Sequence, residues 1–248
     1  MKPIVEICCG SYEDASAAAR AGAERIELNS ALFLGGLTPS YGTLRQVKCH
    51  TNLKVIAMVR PRGAGFCYSE EEFETMLLDA ELLLSEGADG IAFGFLDSQG
   101  AIAVEKTKRM TELIKHYGGE AVFHRAFDCV QDPDVSIKQL IALGIDRVLT
   151  SGLKAKAENG IPQIRELQQK YGNAIEILAG SGVHAGNAKK IMEETGIWQV
   201  HSSCKGWKLD ETTEGSEVSY AYAAPPHEKE YDIVEENLVR KIVEAVTR

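Results

Sequence analysis

Gly22-Ala23-Glu24-Arg25-Ile26-Glu27-Leu28 is the first of four stretches that share one local grammar: a helix ends at Gly, Ala or Ile follows, and a strand begins. Its counterparts are Gly87-Ala88-Asp89-Gly90-Ile91-Ala92-Phe93, Gly144-Ile145-Asp146-Arg147-Val148-Leu149 and Gly196-Ile197-Trp198-Gln199-Val200-His201. Glycine suits the left-handed position that stops a helix, and the β-branched and aromatic residues that follow favour an extended chain. Successive starts lie 65, 57 and 52 residues apart, too far for one βα unit of about 30 residues and right for two. The strands this implies in between are found at 4–8, 53–59, 121–124 and 174–178, the last two after the helix stops Tyr117-Gly118 and Tyr171-Gly172.

Helical patterns occupy 11–21, 40–49, 69–85, 104–116, 132–143, 160–170, 184–194 and 232–246. In the third, Ser69 and Glu72 have the spacing of a capping box, and Phe73, Met76, Leu77, Ala80, Leu83 and Leu84 keep a helical period. Eight strands alternating with eight helices fit either an open doubly wound sheet or a closed barrel. An open nucleotide-binding sheet would carry a glycine-rich turn after its first strand, and Cys8-Cys9-Gly10-Ser11-Tyr12 has no such fingerprint. The fourfold repeat over 248 residues predicts an α/β fold with a single TIM barrel, (β/α)8, as one domain spanning 1–248. One segment breaks the rhythm. Residues 203–230, between the eighth strand and the eighth helix, carry Trp207, Tyr220, Tyr222 and Pro225-Pro226. A connection that long is usually functional, and the expectation is a cover over the barrel mouth or part of a subunit contact.

Composition narrows the function. Hydrophobic residues make up 44% and charged residues 25%, and no apolar run approaches the ~20 residues that span a bilayer, so no membrane segment is expected. A net charge of −9, with 27 Lys and Arg scattered along the chain, repels phosphate backbones and argues against a nucleic-acid partner. Met1-Lys2-Pro3-Ile4-Val5-Glu6 runs into a strand with an early carboxylate, unlike the core of a secretory signal. The six cysteines (Cys8, Cys9, Cys49, Cys67, Cys129 and Cys204) form no C-x-x-C pair. The expectation is a cytoplasmic protein with free thiols.

Barrel strands alternate inward and outward, which places Glu6 and Cys8, Glu27 and Asn29, Met58 and Arg60, Val122 and His124, and His201 on inner faces. Arg62, Arg125 and Asp128 follow just beyond the strand ends. Buried charge costs several kcal/mol per ion unless paired, so such a cluster at the C-terminal end of the strands points to a site. The competing reading is structural, with Arg60 neutralising Glu6 and Glu27. Gly180-Ser181-Gly182 after the seventh strand and Ser202-Ser203 after the eighth lie where barrels often bind phosphate. No G-x-x-x-x-G-K-[ST], H-E-x-x-H or zinc spacing occurs.

Eight motifs in order resemble the CutC family, described as copper homeostasis proteins. They are Glu6-Ile7-Cys8, Arg25-Ile26-Glu27-Leu28, Gly35-Gly36-Leu37-Thr38-Pro39-Ser40, Arg60-Pro61-Arg62-Gly63, Phe66-Cys67-Tyr68-Ser69, His124-Arg125-Ala126-Phe127-Asp128, Leu149-Thr150-Ser151-Gly152 and Val200-His201-Ser202-Ser203. The resemblance implies a cytoplasmic (β/α)8 barrel, a homodimer or larger oligomer, and copper(I) binding with Cys8 as metal ligand. Many relatives carry a second Cys where this chain has Asn29, and one thiol beside an amide is a poor copper(I) site unless His124 or His201 completes it. Two functions therefore compete. One is copper(I) handling. The other is an enzyme for a small anionic, possibly phosphorylated, substrate, with Glu27, His124, Arg60 and Asp128 as the catalytic set and Glu27 and His124 passing a proton as base and acid. Its binding side would be Glu6, Arg62, Arg125, Ser151, Gly180, Ser181, Gly182, His201 and Ser202, with Arg60 and Arg62 clamping the anion.

Overall fold

The computed structural model describes residues 2–247. Its eight parallel strands close into a barrel in sequence order. They are β1 (Ile4–Cys9), β2 (Arg25–Leu28), β3 (Lys54–Met58), β4 (Gly90–Phe93), β5 (Glu120–Phe123), β6 (Arg147–Thr150), β7 (Glu176–Ala179) and β8 (Gln199–Ser202). The helices outside are α1 (Tyr12–Arg20), α2 (Tyr41–His50), α3 (Glu70–Ser85), α4 (Val104–His116), α5 (Pro133–Ala142), α6 (Ile161–Tyr171), α7 (Ala188–Thr195) and α8 (Glu236–Thr247). Gly22, Gly87, Gly144 and Gly196, the helix stops of the fourfold repeat, all have positive φ, from +79° to +96°. At α3 the capping box forms as the spacing predicts, with Ser69 accepting from the Glu72 N–H and Glu72 reaching back to the Ser69 N–H. No helix of the described residues is long and apolar enough to cross a membrane.

Alternation along the strands splits the apolar residues into two compartments. Val5, Ile7, Ile26, Leu28, Val55, Ile91, Phe93, Phe123, Val148, Ile177 and Val200 face the helices and form the main core. Ile56, Met58, Ala92 and Val122 form a separate small cluster within the barrel. Below it the barrel is closed by charge. Arg25 Nε lies 2.6 Å from Glu6 Oε2, Arg147 bonds Glu176 at 2.8 Å and Glu120 at 3.1 Å, and Gln199 joins Arg25 to Glu176. Both arginine side chains are 2–3% exposed. The strand ends above are left free for a site.

The segment after β8 differs from the sequence expectation. Lys205–Leu209 forms a strand, β9, paired antiparallel with β10, Glu230–Val234. The expected eighth helix at 232–246 therefore loses its first turn. Tyr231, Ile233 and Val234 favour an extended chain, and the Val234 N–H donates to buried Asp14 Oδ1 at 2.7 Å, tying the ribbon to α1. The intervening chain brings the Tyr222 ring edge-on to Phe33, 5.2 Å between centroids, in the connection after β2. The expected seventh helix, 184–194, also starts later. Asn187 closes a turn by accepting from the His184 N–H and donating to the Gly182 carbonyl, and α7 follows it.

Candidate functional site

Register, which no single strand encodes, sets who meets whom at the strand ends. Glu6 pairs across with His201, and Cys8 with Glu27. Around them a cavity of about 240 Å³ opens at the C-terminal ends of the strands, walled by Cys8, Glu27, Met58, Arg60, Phe66, His124, Arg125, Leu149 and His201.

Glu6 links the charged floor to this cavity. Its Oε2 faces Arg25, and its Oε1 meets His201 Nδ1 at 2.9 Å. Burial raises its carboxyl, but Arg25 and His201 outweigh burial and bring it down to about 2. The competing structural reading has Arg60 neutralising Glu6 and Glu27. Arg25 holds Glu6 instead, and it was recognisable from its position two residues before Glu27 on the same face of β2. For His201 burial opposes the charge, yet hydrogen bonds with Cys8 and Glu6 and the field of Glu27 hold it protonated. Burial, joined by Glu27, pushes the Cys8 thiol up to about 11.

Glu27 is buried and forms no ion pair among the described residues. Its Oε2 accepts from Asn29 Nδ2 at 3.0 Å, with the Cys8 sulfur 3.8 Å away. Burial and the charge of Glu6 raise its pKa against those bonds and the field of His201. His124 stands at the end of β5. Its Nδ1 accepts from the Ala126 N–H at 3.1 Å, and its buried Nε2 has no protein partner among the described residues. Burial, then the charges of Arg60 and Arg125, lower it to about 3. It is therefore neutral at ordinary pH, a hydrogen-bond donor and not the proton-giving acid the residue type suggested.

The arginines divide. Arg60 binds carbonyls of two mouth connections, Leu34 at 2.9 Å and Gly36 at 3.1 Å through Nη1 and Ala64 at 2.6 Å through Nη2. It also lies over the Phe66 ring and meets the Tyr68 hydroxyl. Gly35 is required here: a Cβ would sit 2.9 Å from Arg60 Nη1, at a φ of +89°. Arg125 is held by Asp128 Oδ2 at 2.7 Å and Ser151 Oγ at 2.9 Å, which leaves Nη1 for a ligand. Asp128, expected among the catalytic groups, is saturated: it also accepts from Thr150 Oγ1, from Ser151 N–H and O–H, and from the Leu153 N–H. It positions Arg125 and the connection after β6. Arg62 is off the cavity wall, paired with Glu72 of the capping box and lying over Tyr68.

Gly180, Ser181, Gly182 and Ser202 are also off that wall. Ser181 Oγ donates to Ala155 O and Ser202 Oγ to Val183 O, so the two hydroxyls brace neighbouring connections. Gly182 and Ser202 line a different cavity, of about 270 Å³, with Val183, His184 and Lys205. Phe66, Met58 and Leu149, which the sequence reading did not single out as ligand contacts, supply the apolar wall of the main site. For Met58 and Leu149 strand alternation was the available signal, and for Phe66, in a connection, it was the place at the head of the Phe66-Cys67-Tyr68-Ser69 motif.

The profile of the CutC family matches residues 3–206. A Treponema denticola family protein CutC is 43% identical over 243 residues, 98% of each chain. A Bacteroides fragilis (strain YCH46) family protein CutC is 44% identical over 205 residues, 82% of this chain and 80% of that one. A solved structure from Streptococcus agalactiae, described as a copper homeostasis protein CutC, is 33% identical with a TM-score of 0.77 and covers 81% of this chain and 98% of that one. KGPDC from Streptococcus mutans, 11% identical at a TM-score of 0.63 over 100% of this chain and 99% of that one, shares the barrel fold. With a profile and full-length relatives matching from β1 through β8, the chain belongs to the CutC family.

Proposed function

We propose that this protein is an enzyme performing acid/base chemistry on a small anion held in the cavity at the strand ends. The observation that carries this reading is His124 on the cavity wall, whose buried Nε2 has no protein partner among the described residues. Leaving a buried donor unsatisfied costs about 1–3 kcal/mol, and a ligand rich in oxygen recovers it. Arg125, aimed by Asp128 and Ser151, supplies the charge for an anion at the mouth. Glu27, buried and unquenched by any ion pair, is the base. A thermal-shift screen of short carboxylates and phosphates is expected to find binders that raise Tm, the gain corresponding to about 2.7 kcal/mol at a hundredfold excess over Kd. Arg125→Met should abolish the shift while the unliganded protein melts near wild type. A screen that finds no anion, or a shift that survives in Arg125→Met, would refute the assignment.

The copper reading that the family description carries rests on Cys8, Glu27 and His201, whose ligand atoms lie within 4.8 Å of one another. The donor set does not fit copper(I). It offers one sulfur, which takes the Asn29 amide at 3.5 Å, beside a carboxylate and an imidazole that Glu6 engages at Nδ1. Soft copper(I) wants thiolate or thioether. Protein purified with copper under reducing conditions is expected to hold far less than one equivalent. One equivalent per chain, lost in Cys8→Ala, would restore the copper reading.

A further inference from the structure

The wall of the cavity is more specific than an anion site, and its chemistry narrows the reaction while resting on the reading just proposed. His124 carries its proton on a defined nitrogen. Because Nδ1 accepts the Ala126 N–H, the hydrogen of the neutral ring is on Nε2, the buried atom without a protein partner. Burial and the flanking guanidinium groups of Arg60 and Arg125 keep the ring uncharged. A neutral imidazole N–H is too weak an acid to protonate a leaving group, which disfavours hydrolysis with His124 as the acid. It is well matched to an oxygen that gains negative charge without taking a full proton. The imidazolium of His201 is engaged by Glu6 through Nδ1 and by Cys8.

We infer that the site enolises a short carbonyl compound bearing a terminal carboxylate or phosphate, with Glu27 as base, His124 Nε2–H as donor to the carbonyl oxygen, and Arg125 as anchor for the anionic end. Glu27 and His124 come from β2 and β5, on different parts of the barrel wall, and border the same cavity of about 240 Å³. That volume suits a chain of a few carbons. Phe66 and Met58 close the apolar side against water.

The step balances without a further reactant. The Glu27 carboxylate takes the proton from the carbon next to the carbonyl, and the C–H electron pair becomes a C=C π bond. The carbonyl π pair moves onto oxygen, where the His124 N–H hydrogen-bonds it. The proton on Glu27 then exchanges with solvent or returns to carbon, and nothing is oxidised or reduced.

Proton NMR in D2O tests this, with pyruvate and 2-oxobutanoate as carboxylate probes and dihydroxyacetone phosphate as the phosphate probe. Binding of the non-enolisable analogue 2-phosphoglycolate is measured in parallel by thermal shift. We expect the wild type to speed loss of the α-proton signal of one probe class over buffer, and the class that responds identifies the anionic end. Glu27→Gln should slow that exchange by about 10²–10⁴-fold, and His124→Phe by about 10²–10³-fold. His124→Gln, whose amide can still donate, should recover part of the rate and guards against a folding defect. Analogue binding without exchange of any probe overturns the enolisation and leaves the anion site standing. Exchange that persists unchanged in His124→Phe removes His124 from the chemistry. Neither binding nor exchange overturns both readings.

Discussion

Arg25→Met is expected to cost about 3–5 kcal/mol in urea unfolding, the loss typical of breaking one side of a buried ion pair. The guanidinium and the Glu6 carboxylate it faces are 3% and 2% exposed, at 2.6 Å. Methionine would fill much of the volume but leave Glu6 charged inside the barrel, with only His201 on its other oxygen. Gln199 would lose a partner at 2.6 Å as well. Losing Arg25 also removes the main influence that holds the Glu6 carboxyl down against burial, so its pKa rises and protonation relieves part of the cost. Arg125→Met is the control. That side chain is 40% exposed, and its partner Asp128, though only 8% exposed, keeps its hydrogen bonds from Thr150, Ser151 and Leu153, so the loss should be much smaller, about 1 kcal/mol. The double variant Arg25→Met/Glu6→Gln should recover part of the loss, since it removes the stranded charge together with its partner. If Arg25→Met unfolds within 1 kcal/mol of wild type, the floor of the barrel is hydrated and the ionic plug is not what closes it.

How far this architecture could be read from the sequence depends on which interactions are local. Helix stops and strand alternation are local, so Gly22, Gly87, Gly144 and Gly196 mark the repeat, and Glu6, Glu27, Arg60, His124 and His201 can be turned inward without a structure. Pairing across the barrel is not local. That Glu6 meets Arg25 and His201, while Glu27 forms no direct ion pair among the described residues, follows from strand register, and the same charges on one list of inward residues allow Arg60 to be paired with them wrongly. Connections are harder still. Arg62 is drawn to Glu72 because the capping box fixes that carboxylate at the start of α3, and Arg60 turns its donors onto the carbonyls of Leu34, Gly36 and Ala64. The stretch from Asp232 to Val234 carries helical periodicity forward from α8, but its backbone is claimed by Lys205–Leu209 and its last N–H by Asp14, more than two hundred positions away. In each case the residue type was read correctly and the partner lay outside the reach of periodicity.

His124 should leave a signature in the pH dependence of stability that no other group at the site mimics. Its pKa falls from 6.5 in the unfolded chain to about 3 in the barrel, so between those values the unfolded state binds the extra proton. Stability due to this residue is then intact above pH 6.5 and declines by about 1.4 kcal/mol per unit as the pH is lowered toward 3. His201 has the opposite sign. Its raised pKa gives stability that is full below 6.5 and is lost only as the pH climbs through the folded value. Glu27, also raised, favours the folded state as the pH falls, but it does so in wild type and variant alike and cancels in a difference. Urea unfolding of wild type and His124→Phe at pH 6.5, 5.5 and 4.5 isolates the term. The variant should gain on the wild type by about 2 kcal/mol across those two units. Parallel curves would mean that the imidazole is protonated in the folded barrel. The Nε2 proton would then belong to an imidazolium, and the neutral donor on which the enolisation chemistry depends would be absent.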